Sequence, residues 1–131
     1  IQAAVLLEKL SIFDEELEMR YEVDKYYRKY LNNAQHHPKD YQSAYALFSI
    51  VLGANSKRND LVERLSKNKI PSVIYYKYPI HLMKAFSYLG YKEGDLKVSE
   101  KLSKNIVSLP MHPYLASTEI EYIVKVIKMK I

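Results

Sequence analysis

The sequence predicts an α+β domain: a small, mostly antiparallel sheet covered by helices and entered through a long N-terminal helix. Three observations lead there. Apolar residues recur at spacings of three and four through the first third of the chain. Short runs rich in Val, Ile and Leu or Tyr, bounded by turn residues, lie at 43–52, 70–76 and 106–109. An amphipathic stripe of Ile120, Ile123, Val124 and Ile127 follows near the end. With 131 residues, 48% hydrophobic and 27% charged, the chain has the size and composition of one globular domain around a single core.

Leu6, Leu10, Phe13 and Leu17 form the first stripe, continued by Tyr21, Val23, Tyr27, Tyr30 and Leu31, with a kink or break expected where Ser11 and Asp14 offer capping groups. Asn32-Asn33 and then His36-His37-Pro38 end the helix. Ser43 to Leu52 reads as a buried strand, and a helix from about Lys57 to Asn68 turns Leu61, Val62 and Leu65 inward. Ile70 to Tyr76 reads as a strand with Pro71 at its start. A loop at Tyr78-Pro79-Ile80-His81 leads to a short helix from about Met83 to Leu89, and Gly90 and Gly94 mark turns. Val98 to Asn105 reads as helix and Ile106 to Leu109 as strand. Pro110 and Pro113 interrupt the chain before Ser117, the expected N-cap of the last helix.

Composition excludes much chemistry. The absence of cysteine removes disulfides, thiolate metal sites and thiol nucleophiles. Three glycines leave no material for a dinucleotide fingerprint or a phosphate loop. No apolar run approaches the roughly 20 residues of a membrane span and no secretion signal is evident, so the expectation is a cytoplasmic protein, or a piece of one, with no membrane partner. Thirteen tyrosines against three phenylalanines fit a compositional bias.

His36-His37 sit in a polar loop and His112 lies between two prolines, contexts that suit solvated or packed histidines. Asp14, Glu15, Glu16 and Glu18 suit a solvated helix face. His81 closes a run in which phenols, a cation and an imidazole converge, Tyr75-Tyr76-Lys77-Tyr78-Pro79-Ile80-His81, on the kind of irregular segment where binding groups tend to sit. The net charge of +5 raises a second reading, a stand-alone basic domain that binds single-stranded nucleic acid by stacking bases on the Tyr21–Tyr30 helix. Glu22 and Asp24 interrupt that patch, and a helix burying its tyrosines is the plainer account.

A longer pattern runs the length of the chain. The Gln2-Ala3-Ala4 opening, Arg58 through Ile70, Tyr75-Tyr76 through His81, Val98-Ser99-Glu100-Lys101-Leu102 and Ser108-Leu109-Pro110-Met111-His112-Pro113-Tyr114-Leu115 follow one another in the order and spacing of the C-terminal part of the DegT/DnrJ/EryC1/StrS sugar aminotransferases, which the sequence resembles. The resemblance implies the small domain of a fold-type I enzyme using pyridoxal phosphate. It implies amino transfer from glutamate to a keto sugar nucleotide, with the opening and the Met-His-Pro-Tyr-Leu segment most similar to enzymes of UDP-linked acetamido sugars, in surface polysaccharide or glycan precursor synthesis. It also implies a homodimer for the whole enzyme and no nucleic-acid partner.

In the family a cofactor-bearing lysine and an aspartate at the pyridine nitrogen lie in a large N-terminal domain. None of the 16 lysines here stands in that context. The resemblance therefore describes residues 1–131 as one C-terminal domain, with residues 1–33 as a helical lead-in from the large domain, no catalytic or cofactor-binding residue of its own and no turnover alone. Tyr75, Tyr76 and His81 match a loop that contacts substrate in the family. Departures from the pattern are Lys77 and Lys97 at positions where proline is usual, and Lys69 where glycine ends a helix; Asn68 is expected to take the left-handed conformation instead.

Overall fold

The computed structural model describes residues 1–36, 38, 40–53 and 58–129. His37 of the predicted loop and Lys57, the predicted start of the second helix, lie outside them. The elements are α1 (Gln2–Ser11), α2 (Phe13–Tyr30), β1 (Phe48–Val51), α3 (Arg58–Lys67), two 3₁₀ segments (Ile80–Leu82 and Lys84–Leu89), α4 (Lys97–Asn105), β2 (Ile106–Leu109) and α5 (Ser117–Lys128).

The long N-terminal helix is two helices that break at Ile12, where φ is −113° and ψ 8°. Ser11 does not cap; its hydroxyl donates back to the Glu8 carbonyl at 2.7 Å, a local bond that competes with helix continuation. Asp14, Glu15 and Glu16 in the first turn of α2, and Arg28 and Lys29 in its last, complement the helix dipole. Val23 and Tyr27 enter the core from this helix and Leu31 from the residue that ends it, whereas α1 buries none of its residues.

β1 and β2 pair antiparallel, Phe48 opposite Leu109 through Val51 opposite Ile106. The period-2 alternation of a strand divides the ribbon. Phe48, Ile50, Val107 and Leu109 point into a core completed by Leu61 and Leu65 of α3 and Ile120, Ile123, Val124 and Val126 of α5. Tyr27 stacks on Phe48 at 4.5 Å between ring centroids and donates its hydroxyl to the Pro110 carbonyl at 3.1 Å. Complete burial of a side chain such as Leu65 contributes roughly 1.5–3 kcal/mol. The two arginines of α3 donate to carbonyls at the ends of other helices, Arg58 to Ser103 and Arg64 to Met129 and Ile127, satisfying acceptors that helix termini leave open.

Several predicted boundaries shift, each for a local reason. The strand expected over 43–52 contracts to Phe48–Val51, because Tyr45 takes a left-handed φ of 46° and its N–H is held by the Ser43 hydroxyl at 3.0 Å. The strand expected over 70–76 reduces to a single bridge, Val73 exchanging two backbone hydrogen bonds with Ser108 at 3.1 and 2.9 Å; Pro71 lacks the N–H that earlier pairing would need. Met83–Leu89 is the 3₁₀ segment Lys84–Leu89. Lys69, not Asn68, adopts the left-handed conformation (φ 58°), while the Ile70 N–H reaches back to the Leu65 carbonyl at 2.9 Å. The last helix is capped one residue earlier than expected: the Glu119 carboxylate accepts the N–H of Ala116 at 2.8 Å, half of a capping box.

Candidate functional site

The sheet face turned away from the core carries Ser49, Ile106 and Ser108. The Ser49 and Ser108 hydroxyls hydrogen-bond to each other at 2.8 Å, as directly opposed residues of an antiparallel pair can. Over this face lies a cleft of about 360 Å³. One wall is the segment that leaves the sheet at Val73, presenting Tyr75, Tyr76 and Tyr78; the other is α4, presenting Ser99 and Leu102. The three tyrosines are 54%, 64% and 61% exposed, so their rings remain available to a ligand. Among the described residues no charged side chain lines the cleft. Its chemistry is phenol and serine hydroxyls among apolar surfaces, suited to bonding sugar hydroxyls and stacking on the flat faces of a sugar or base.

His81 occupies a different position from the tyrosines. The turn Pro79–Leu82, closed by the Leu82 N–H on the Pro79 carbonyl at 3.0 Å, carries it inward until it is 6% exposed. Its Nε2–H donates to Glu100 Oε1 at 3.1 Å, and its ring meets Tyr91 edge-on at 6.1 Å. The Glu100 carboxylate also accepts the N–H groups of Gly94 (2.9 and 3.0 Å) and Leu96 (3.3 Å). Burial opposes the Glu100 charge, but the Gly94 N–H, His81 and the Leu96 N–H outweigh it and hold the carboxyl below its ordinary pKa.

Of the predicted site residues, Tyr75 and Tyr76 therefore line the cleft together, and His81 lies behind their wall. Tyr78, the serine pair and Glu100 escaped the sequence reading. Tyr78 was signalled by the tyrosine run itself, whereas the serine pair depends on strand register and Glu100 on a contact 19 residues away.

The remaining candidates are committed elsewhere. His36 and His112 are exposed. Glu16 bonds Lys9 and the Tyr114 hydroxyl, contacts that draw its pKa down, the Lys9 bond foremost. In the Tyr21–Tyr30 helix, Tyr27 is fully buried. Arg28 forks onto Asp24 at 2.6 and 3.1 Å and donates to the Gln35 carbonyl at 2.8 Å. Tyr26, half-buried, donates to Glu121 at 2.6 Å. Base stacking would have to draw on what this packing leaves over. Among the described residues, no group of three His, Asp or Glu is placed to hold a metal, and no helix is long and apolar enough to cross a membrane.

Pyridoxal phosphate needs an amine to form its imine and an acid at its ring nitrogen. The cleft lining contains neither lysine nor aspartate, so this site does not fit the cofactor.

Known proteins share this architecture. An aminotransferase of the DegT/DnrJ/EryC1/StrS group from Brucella abortus superposes with a TM-score of 0.84 at 41% identity, over 97% of this chain and 34% of its own. A pleiotropic regulatory protein from Geobacillus stearothermophilus is 34% identical over 95% of this chain and 35% of its length. A UDP-2-acetamido-2-deoxy-3-oxo-D-glucuronate aminotransferase from Pseudomonas aeruginosa is 29% identical over 94% of this chain and 34% of its length. The chain thus spans about a third of the curated relatives it matches. Residues 1–128 match the family profile from the first helix through α5, and on that match and the shared fold the chain belongs to the DegT/DnrJ/EryC1/StrS aminotransferase family.

Proposed function

We propose that this chain is the C-terminal domain of a pyridoxal-phosphate aminotransferase that moves an amino group from glutamate to a keto sugar nucleotide, and that its cleft holds part of that substrate. The observation that carries the reading is the uncharged cleft between the Tyr75-Tyr76-Tyr78 wall and α4, within a family whose members are sugar aminotransferases. Tyr75 and Tyr76 contact the sugar or base by stacking and hydroxyl bonds. His81 supports the wall from behind. The cofactor, its lysine and its acid belong to an upstream domain, and the complete enzyme is a homodimer. The Pseudomonas relative, named for a UDP-linked acetamido sugar, supports a substrate of that class in surface-glycan precursor synthesis.

The exposed apolar residues of α1, among them Val5, Leu6, Leu7 and Leu10 at 59–68% exposure, support its docking on that upstream domain, since contiguous apolar surface marks an interaction site. Val23 and Tyr27 of α2, and Leu31 just after it, pack in the core described above.

The test is amino transfer by the enzyme containing this chain. With glutamate and a UDP-linked 3-keto acetamido sugar it should release 2-oxoglutarate, with dTDP-linked sugars as the competing arm, and residues 1–131 alone should give no turnover. The reading fails if the encoding gene carries no upstream lysine-bearing domain, or if no nucleotide-linked keto sugar is aminated.

A further inference from the structure

We infer that Glu100 is a positioning residue for the substrate cleft, tying the tyrosine wall to α4 through His81. The inference rests on the reading of the cleft as a sugar-nucleotide site and assigns a role to a residue outside its lining.

The tyrosine segment is held at two ends. At one, Val73 pairs with Ser108 of β2. At the other, His81 meets Glu100 at 3.1 Å. Among the described residues, none from Ile74 to Tyr78 makes a hydrogen bond to another part of the chain. Three of the residues in that span are the exposed tyrosines of the wall, so their placement depends on the two anchors and on buried Pro79. Glu100 belongs to the opposite wall, whose cleft-lining residues Ser99, Leu102 and Ser103 flank it in sequence. The His81–Glu100 contact is therefore a direct link between the cleft's two sides.

The same carboxylate closes the turn ahead of α4 by accepting the Gly94 and Leu96 N–H groups. At 8% exposure it has little water to substitute for a missing partner, so losing the carboxylate frees three donors at once. The consequence falls on spacing: a wall of stacking rings that shifts by about 1 Å loses affinity for the ligand it frames without losing the fold around it.

The test uses the enzyme that contains this chain. Glu100→Ala should raise KM for the sugar nucleotide about tenfold or more while KM for glutamate stays within about twofold, because the smaller donor does not span the wall. Glu100→Gln keeps an acceptor oxygen and should recover to within about threefold of the wild type. Hydrogen exchange read by mass spectrometry adds a measurement independent of turnover: in Glu100→Ala, peptides spanning 79–96 should exchange faster while those within 13–31 stay unchanged. A variant that alters both KM values alike, a glutamine variant as impaired as alanine, or faster exchange spread evenly over α2 and α5 each overturns the inference. If Glu100→Ala does not accumulate as folded protein, His81→Phe, which keeps a ring but loses the bond to Glu100, decides it, with wild-type values of the sugar-nucleotide KM and of exchange over 79–96 overturning the inference. Failure of the wild-type enzyme to aminate any sugar nucleotide would strike the functional reading, whereas the exchange pattern would still judge the clasp.

Discussion

The two faces of the β1–β2 ribbon are built on different principles. On the inner face, Phe48, Ile50, Val107 and Leu109 meet three helices, and stability comes from area: many apolar groups, each replaceable at a graded cost. On the outer face, the tyrosine wall hangs between one backbone bridge and one buried hydrogen bond, His81 to Glu100, with its rings exposed. The inner face spreads its energy over many contacts; the outer face concentrates geometry in a few. Substitutions inside should therefore change stability, and substitutions outside should change binding.

The strongest way to break that comparison is Leu65→Ala. Leu65 is fully buried, and truncation should cost about 2–5 kcal/mol, measured by urea unfolding with an unchanged m-value. A loss below about 1 kcal/mol would mean that the inner face is not close-packed. Tyr76→Ala is the counterpart on the outer face. At 64% exposure it should leave stability within about 0.5 kcal/mol, yet raise KM for the sugar nucleotide about tenfold through lost stacking.

Acid should release the outer face selectively. The folded Glu100 carboxyl lies below its ordinary pKa, so the unfolded chain binds the more protons as pH falls; the contribution of Glu100 is complete above about 4.3 and is lost as pH drops through the folded value. Glu16 and Glu63 are lowered too, chiefly by their bonds to Lys9 and Lys67. The informative measurement is therefore the difference in urea midpoint between wild type and Glu100→Gln at pH 6 and pH 3.5. That difference should shrink in acid; a constant gap would show that the charge is not what the site holds. The smallest expected effect is a gain: Lys69→Gly, at φ 58°, should stabilise by about 0.5–1 kcal/mol in thermal unfolding by relieving left-handed strain.

Legibility in the sequence followed the same divide. The stripes of α2, α3 and α5 were readable because burial on one helix face imposes a period, and Val23, Tyr27, Leu61, Leu65, Ile120 and Ile123 all reach the core as that period requires. Where the period was present but burial was not, it misled: Leu6, Leu10 and Phe13 continue the stripe yet remain exposed. The strand over 70–76 was overread because β-branched and aromatic residues fit a pleated surface but cannot show whether a partner runs alongside; one did so only at Val73. Tyr75 and Tyr76 were named through the resemblance to a substrate-contacting loop of the family, within a run of phenols. Glu100 was not, since nothing in Val98-Ser99-Glu100-Lys101 distinguishes a buried clasp from a solvated helix turn.

By itself the sequence determined the helices, the α+β class, the family and the segment that forms the tyrosine wall, because local periodicity, turn residues and motif order are properties of neighbouring positions. The tertiary structure decided which apolar stripes are covered, how far each strand extends, and that His81 turns inward to Glu100 while Tyr75 and Tyr76 turn outward to the cleft. Those outcomes depend on burial and pairing between distant residues, where a carboxylate 19 positions away supplies the contact that no local pattern encodes.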